Sequence, residues 1–311
     1  MKIREFIKNP HKIVNYVVHH TARMWSDETY LKLKFYGRFG YKLNLKNPRG
    51  FNEKCQWLKL YYRKPELVTM VDKYSVKQWV ADRIGSEHVV ECYGAWDRFD
   101  DIDFDKLPNQ FVLKVTHDSG GFVVCKDKST FDKAAAKAKM ENALKKNYFI
   151  YTREWPYSQV PRRILVERYM DSLGKPDSVE YKLTCMDGEV KVITVCGGIA
   201  HSAYELRSND NFSRDWKRQN WYAAYKPKGG IIQKPKEMDE MIRLSEILAE
   251  GIPQVRVDWY VHNGRIYFGE MTFYTWAGFA EFEPWEWNYK LGEWIKLPEK
   301  YNPKVSSISG E

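Results

Sequence analysis

The sequence predicts an α+β protein of two lobes preceded by a helical region. Three observations lead there. Helical stretches alternate with pairs of short strands rather than with single strands. Two strand pairs flank Asp187-Gly188 and Asn263-Gly264, dipeptides that close antiparallel hairpins. The 311 residues exceed one minimal domain, and an apolar fraction of 43% can fill more than one core. Such an alternation favours segregated α+β lobes over a doubly wound parallel sheet.

Residues 1–70 read as a basic, helical N-terminal region. Within it, Phe51, Cys55 and Leu58 recur at helical spacing, and Pro65 lies just beyond. A small lobe spans 71–162. It begins with a helix over 72–84, stopped by Gly85. Pro108 introduces the strand Phe111-Val112-Leu113-Lys114-Val115, and a polar loop leads to the strand Phe122-Val123-Val124-Cys125. The Ala- and Lys-rich residues 131–147 read as a helix. A large lobe spans 163–295, with an apolar strand over 164–170 and a hairpin of 179–185 with 190–196. The irregular, aromatic and charged stretch 201–230 suits a loop facing substrate. A helix over 236–250 and the hairpin 255–272 follow. The Trp-rich segment 276–294 is expected to pack over that hairpin, and 296–311 form a tail.

The balance of 50 basic against 41 acidic residues gives a net charge of +9, which favours anionic partners such as nucleotides or acidic glycans. The charge is spread along the chain, so it equally describes a solvated basic surface. Five Cys, at 55, 92, 125, 185 and 196, are odd in number and form no CxxC pair. This argues against a disulfide framework or a zinc cluster and for a reducing compartment. With no apolar leader in MKIREFIKNPHK and no run of membrane-spanning length, a soluble cytoplasmic protein is expected.

The chemistry concentrates in residues 255–272. Side chains alternate faces along a strand, so the loop length decides where the charges fall. A two-residue turn pairs His262 with Arg265 and sends Asp258 and Glu270 to opposite faces. A three-residue loop of His262, Asn263 and Gly264 pairs Val261 with Arg265. It collects Arg256, Asp258, Tyr260, Phe268, Glu270 and Thr272 on one face, and Val255, Val257, Trp259, Val261, Tyr267 and Met271 on the other. The second sorting separates charge from apolar bulk and is preferred. Two carboxylates and an Arg on one face form either an ionic network or a magnesium site. Mg²⁺ takes one or two carboxylates and draws its other ligands from water and phosphates. Arg256 can stabilise a transferring phosphoryl group.

The loop Thr116-His117-Asp118-Ser119-Gly120-Gly121 is either a hairpin turn or a phosphate cradle, since Gly lets backbone N–H groups approach an anion. It is no P-loop, because GxxxxGK[ST] is absent. Lys114, among Val112, Leu113 and Val115, needs an anionic or polar partner, and nucleotide phosphate is one candidate. His117 is a further candidate phosphate contact.

The order of these pieces resembles the ATP-grasp superfamily: Lys in a strand, a Gly-containing loop, an apolar strand with Glu, then Arg256-Val257-Asp258 and Gly269-Glu270-Met271-Thr272. More narrowly, the chain is similar to the TupA-like ATP-grasp family, associated with teichuronopeptide and other bacterial surface polysaccharides. The resemblance covers roughly 50–290. It includes Phe51-Asn52-Glu53-Lys54, Val71-Asp72-Lys73-Tyr74, Trp96-Asp97, Arg153-Glu154-Trp155 and Phe268 to Phe273. It implies an ATP-grasp fold and an ATP- and magnesium-dependent carboxylate–amine ligase. Lys73 and Lys114 match lysines that contact the nucleotide. Ser119, Gly120 and Gly121 match the phosphate loop. Residues 167–170 match the strand that runs past adenine, so Glu167 lies beside the base and the backbones of Arg168 and Met170 read its edge. Asp258 and Glu270 match the metal ligands, with Thr272 where many relatives have Asn, and Arg256 matches the phosphoryl-stabilising Arg. An amino acid and a uronic-acid-containing glycan or its precursor are the implied substrates. A peripheral contact with membrane-bound polysaccharide machinery is the implied partner.

Two other classes stay open. Asp101-Ile102-Asp103 and Asp103-Phe104-Asp105 both read as DxD, which suits a glycosyltransferase, and a glycan phosphotransferase of capsule or O-antigen synthesis is a related alternative. The Trp, Tyr and basic residues of 214–228 suit a non-catalytic glycan- or nucleic-acid-binding surface. Acidic residues are too well mixed for a nucleic-acid stripe, so no nucleic-acid partner is expected.

Overall fold

The computed structural model describes residues 11–118, 120–171, 178–198 and 207–302. Ser119 and residues 201–206 of the expected substrate-facing loop lie outside them. Two antiparallel sheets carry the architecture. The smaller has four strands in the order β1 (Cys92–Trp96), β4 (Ile164–Arg168), β2 (Phe111–Val115), β3 (Phe122–Cys125). The larger has five, in the order β10 (Arg265–Thr272), β9 (Gln254–His262), β5 (Val179–Met186), β6 (Glu189–Gly197), β7 (Ser208–Phe212). A two-stranded piece pairs β8 (Tyr222–Ala223) with β11 (Phe282–Glu283).

Helices α1 (His11–His20) and α2 (Asp27–Phe39) pack on each other around Tyr30, Leu31 and Phe35, with Phe279 closing that cluster. Helix α3 (Phe51–Tyr61) starts where Glu53 accepts the amides of Arg49 and Gly50 at 2.9 and 3.1 Å. Helices α4 (Glu66–Val71) and α5 (Ser75–Ile84) follow, α5 ending at the positive-φ Gly85. Helix α6 (Lys133–Lys145), capped by Asp132, covers the smaller sheet through Ala136, Met140 and Ala143. Two short helices, α7 (Tyr148–Thr152) and α8 (Trp155–Gln159), connect α6 to β4, which returns to the same smaller sheet between β1 and β2. Helix α9 (Met238–Leu248) lies on the back of the larger sheet. The fully buried Trp259 on that back face donates its indole N–H to Ser245 Oγ at 2.8 Å.

Both Gly-containing hairpins form with two-residue turns. Asp187 and Gly188 have φ of 54° and 83°, and Met186 pairs with Glu189. Asn263 and Gly264 have φ of 51° and 71°, and His262 pairs with Arg265. These are the left-handed conformations of a type I′ turn. The three-residue loop expected at 262–264 is therefore corrected. So is the sorting that rested on it: Phe268 pairs with Trp259 in the core, and Tyr267 pairs with Tyr260 on the opposite face.

The Trp-rich segment also differs from expectation. Its helix α10 (Trp287–Glu293) packs chiefly against α3, and Trp287 stacks on Trp221 with ring centres 5.2 Å apart. Small residues decide this docking: a Cβ on Gly292 would lie 2.2 Å from the Arg49 carbonyl. In 201–230, the described part is more regular than expected, because β7 and β8 fall within it.

Candidate active site

Asp258 and Glu270 share a face after all, by a device absent from the loop. The register breaks between Phe268 and Met271, where Gly269 and Glu270 together lie opposite Asp258. This β-bulge adds one residue to β10 and restores the parity that the two-residue turn had reversed. Thr272 then pairs with Arg256 and Met271 with Val257. Gly269 is required: a Cβ there would sit 2.7 Å from Tyr260 Cε2 and 3.1 Å from the Asp258 carbonyl.

The pairing extends this polar face across the sheet. Glu180, Lys182 and Thr184 on β5 oppose Tyr260, Asp258 and Arg256, and Lys182 in turn opposes Thr194 on β6. Lys182 Nζ lies 2.7 Å from Asp258 Oδ2 and 2.6 Å from Glu180 Oε2. Arg256 donates from Nε and Nη2 to the two oxygens of Asp258, each at 2.6 Å, and from Nη2 to Glu270 Oε1 at 3.2 Å. The Thr272 hydroxyl donates to Glu270 Oε1 at 3.1 Å, and Tyr260 donates to Glu180 Oε1 at 2.8 Å.

Burial alone would raise the Asp258 carboxyl, but Arg256 and Lys182 outweigh it and hold Asp258 below its ordinary range. Burial would lower Arg256 and Lys182, yet Asp258 raises both. For Glu180 burial wins over Lys182, and its carboxyl is raised.

A cavity of about 590 Å³ opens over this face. Of the residues singled out in the sequence, Lys73, Arg256, Glu270 and Thr272 line it, while Asp258 lies beneath Arg256 and is fully buried. Lys73 reaches it from the turn after α4, with Nζ donating to the Asp118 carbonyl at 2.9 Å. The donor set suits Mg²⁺, which asks for few protein ligands. Among the described residues, no three His, Cys, Asp or Glu are arranged to hold a metal ion. Glu270 is half exposed toward the cavity with Thr272 beside it. Asp258 has both oxygens bonded to cations, so it fits as a ligand only when Arg256 turns aside.

The other sequence candidates fall on the smaller sheet. Lys114 finds its anion in Glu167, which also pairs with Lys77 of α5 at 3.0 Å. Burial would push Glu167 up, but Lys114 and Lys77 hold it down to about 2. The His117 ring is buried, with Nε2 3.1 Å from the Lys146 carbonyl, and burial lowers its pKa. Gly120 has a positive φ of 94°, and nothing lies within 4 Å of where its Cβ would be. Gly121 is packed, its Cβ position being 2.7 Å from Val115 Cγ2. The Arg168 N–H donates to the Glu91 carbonyl at 3.0 Å, so as placed it is not open to a base edge. Met170 is buried just beyond the strand end.

Sequence reading missed Lys182, Glu180, Lys77 and the role of Glu154 in the cavity wall. The signal for the first two is the alternation Glu180, Lys182, Thr184 against Tyr181, Leu183, Cys185.

A four-stranded and a five-stranded antiparallel sheet, with a cationic and carboxylate-bearing cavity on the larger one, define an ATP-grasp protein. The chain belongs to the TupA-like ATPgrasp family, whose model matches residues 53–296. No curated protein matches it. Solved structures with remote likeness include D-alanine–D-alanine ligase from Bacillus anthracis complexed with ATP. That protein has 16% identity and a TM-score of 0.40, over 66% of this chain and 55% of that one. The Helicobacter pylori D-alanine–D-alanine ligase has 12% identity and a TM-score of 0.44, over 80% and 70%. The ATP-grasp ligase PsnB, complexed with a minimal-precursor variant, Mg and ADP, has 10% identity and a TM-score of 0.41, over 76% and 62%. The chain thus spans little more than half the length of the Bacillus ligase.

Proposed function

We propose that this chain is an ATP- and magnesium-dependent carboxylate–amine ligase of bacterial surface-polysaccharide synthesis, joining an amino acid to a uronic-acid-containing glycan or its precursor. The observation that carries the reading is the bulge at Gly269–Glu270. It aligns Glu270 and Thr272 with Arg256, Asp258 and Lys182 beneath one cavity. In this reading a substrate carboxylate oxygen attacks the γ-phosphorus of ATP, and ADP leaves. The amine then attacks the acyl carbon and phosphate leaves, giving the amide. Glu270, with Asp258 and Thr272, would hold Mg²⁺, which neutralises phosphate charge when bound. Arg256 stabilises the transferring phosphoryl group, and Lys73 and Lys114 hold the nucleotide, with the loop of His117, Ser119, Gly120 and Gly121 over its phosphates. Glu167, Arg168 and Met170 flank the base. The aromatic wall of Tyr148, Tyr157 and Tyr274 keeps water from the activated carboxylate. Among the described residues no helix is long and apolar enough to cross a membrane. A cytoplasmic setting with peripheral contact to membrane-bound machinery belongs to the same proposal.

The alternatives have less support. Asp103 accepts its own turn's amide from Asp105 at 3.2 Å and pairs with Lys106 at 3.0 Å, which is a surface cap. Trp216 stacks on Phe212 at 4.4 Å, and Arg214 bonds Glu246, so those residues are engaged in packing. Mass spectrometry of products formed from ATP with the polysaccharide intermediate of the same locus tests the reading. An amide together with ADP and phosphate is expected. A phosphorylated glycan, or sugar transfer from a nucleotide sugar without ATP, would overturn it.

A further inference from the structure

The cavity holds a carboxylate that the proposed chemistry does not yet use. Glu154, at the start of α8, lines the cavity and is 2% exposed. Its Oε1 is buried and has no hydrogen-bond partner. Lys59 is a buried cation whose charge acts on Glu154, but its hydrogen bonds go elsewhere. Its Nζ donates to the carbonyls of Thr152 and Ala277 at 2.7 and 2.6 Å and lies over the Phe279 ring. No cation among the described residues stands at ion-pair distance from Glu154. Around the same cavity stand Tyr148 and Tyr157, with ring centres 5.0 Å apart, and Tyr274. The buried Thr275 hydroxyl, also in the wall, likewise lacks a partner.

An unpaired buried carboxylate is expensive, and a chain keeps one where a ligand completes it. The completing group must be a cation or a hydrogen-bond donor. Tyrosine rings beside the carboxylate favour an ammonium, which is attracted to both. We infer that Glu154, with Tyr148, Tyr157, Tyr274 and Thr275, forms a subsite for an ammonium-bearing substrate, the amine that the ligase joins to its activated carboxylate. The inference rests on the ligase reading and deepens it by placing the second substrate. Burial raises the Glu154 carboxyl to about 7, outweighing the opposing pull of Lys59 and Lys34, neither of which pairs with it.

The test titrates the full chain with free amino acids, each matched by its N-acetyl derivative, with and without the magnesium complex of a non-hydrolysable ATP analogue. Binding is read by saturation-transfer NMR. At least one free amino acid should bind, its N-acetyl form at least tenfold more weakly. Glu154→Gln should lose at least tenfold for the free form and keep its nucleotide affinity within twofold. Equal binding of free and acetylated forms, unchanged affinity in Glu154→Gln, or no amino-acid binding by a protein that binds the nucleotide would each overturn the subsite. Absence of nucleotide binding alone would instead overturn the ligase reading. The free-versus-acetyl comparison in the unaltered protein needs no variant, so poor folding of Glu154→Gln leaves it decided.

Discussion

Lys182→Met removes the cation shared by two nearly dry carboxylates while keeping most of the stem. Its Nζ stands 2.7 Å from Asp258 and 2.6 Å from Glu180, and those side chains are 0% and 9% exposed. Removing one partner of a buried ion pair costs about 3–5 kcal/mol. Arg256 still neutralises Asp258, so the lower end, about 3 kcal/mol, is expected at pH 8. The pH dependence has a fixed sign. Glu180 is already raised above its ordinary 4.5 by burial, and loss of Lys182 raises it further. An acid raised in the folded state contributes stability below its unfolded value and loses it as pH rises through the folded value. The deficit of Lys182→Met should therefore shrink toward pH 5, and Glu180→Gln in the same chain should remove that shrinkage. Urea unfolding at pH 5 and 8, followed by Trp fluorescence, measures both. A deficit below about 0.5 kcal/mol at pH 8, or one equal at both pH values, would refute the account of the network, since surface pairs behave that way.

Three further outcomes follow from single contacts. Gly269→Ala should destabilise by about 1–3 kcal/mol, the scale of overpacking, because the new methyl meets Tyr260 and the Asp258 carbonyl. It should also weaken MgATP binding by moving Glu270, so unchanged unfolding and titration curves would remove the bulge from the explanation. Lys73→Met should weaken MgATP binding by about 1–3 kcal/mol, the scale of a charge-assisted hydrogen bond. Calorimetric titration showing full affinity would take Lys73 out of the site. Glu154, raised to about 7 from 4.5 by burial, should make the protein lose roughly 3 kcal/mol of stability as pH rises between those values, at about 1.4 kcal/mol per unit. Lys59, lowered to about 7 by burial, begins to lose its proton only toward the upper end of that range and offsets little of the loss. Glu154→Gln should flatten the pH profile of the unfolding midpoint, and a parallel profile would contradict the assignment.

The helices and hairpins were legible because local signals agree with tertiary packing. Asp187-Gly188 and Asn263-Gly264 supply the positive φ that their turns use, and Gly85 ends α5 as the pattern implied. The shared face of Asp258 and Glu270 was reached from the sequence by the wrong route. Charge segregation identified the outcome, but a bulge is set by how β10 meets β9 and Tyr260, which loop length does not reveal. Lys182 was missed because β5 meets β9 across some 70 residues of chain, so its pairing with Asp258 has no local signal beyond alternation. An anionic partner expected for Lys114 is present within the chain as Glu167, diagonal to it on β4. Glu154 was legible only within the Arg153-Glu154-Trp155 match: its isolation depends on Lys59 being held by the carbonyls of Thr152, at the end of α7, and Ala277.

Asp258→Asn is a poor probe of the metal, because it removes the carboxylate shared by Arg256 and Lys182 in a buried place and leaves them only Glu270 and Glu180. Glu270→Gln disturbs less, since Glu270 is half exposed and bonded only at its edge. Calorimetric titration of ATP into the full chain, with and without Mg²⁺, and into Glu270→Gln therefore bears most directly on the central claim. The unaltered protein should bind ATP in the micromolar to millimolar range usual for substrates, at least tenfold more tightly with Mg²⁺. Glu270→Gln should lose most of that magnesium dependence while retaining its fold. Absence of ATP binding, or ATP binding that is equal with Mg²⁺ and with chelator and unaltered in Glu270→Gln, would contradict the account.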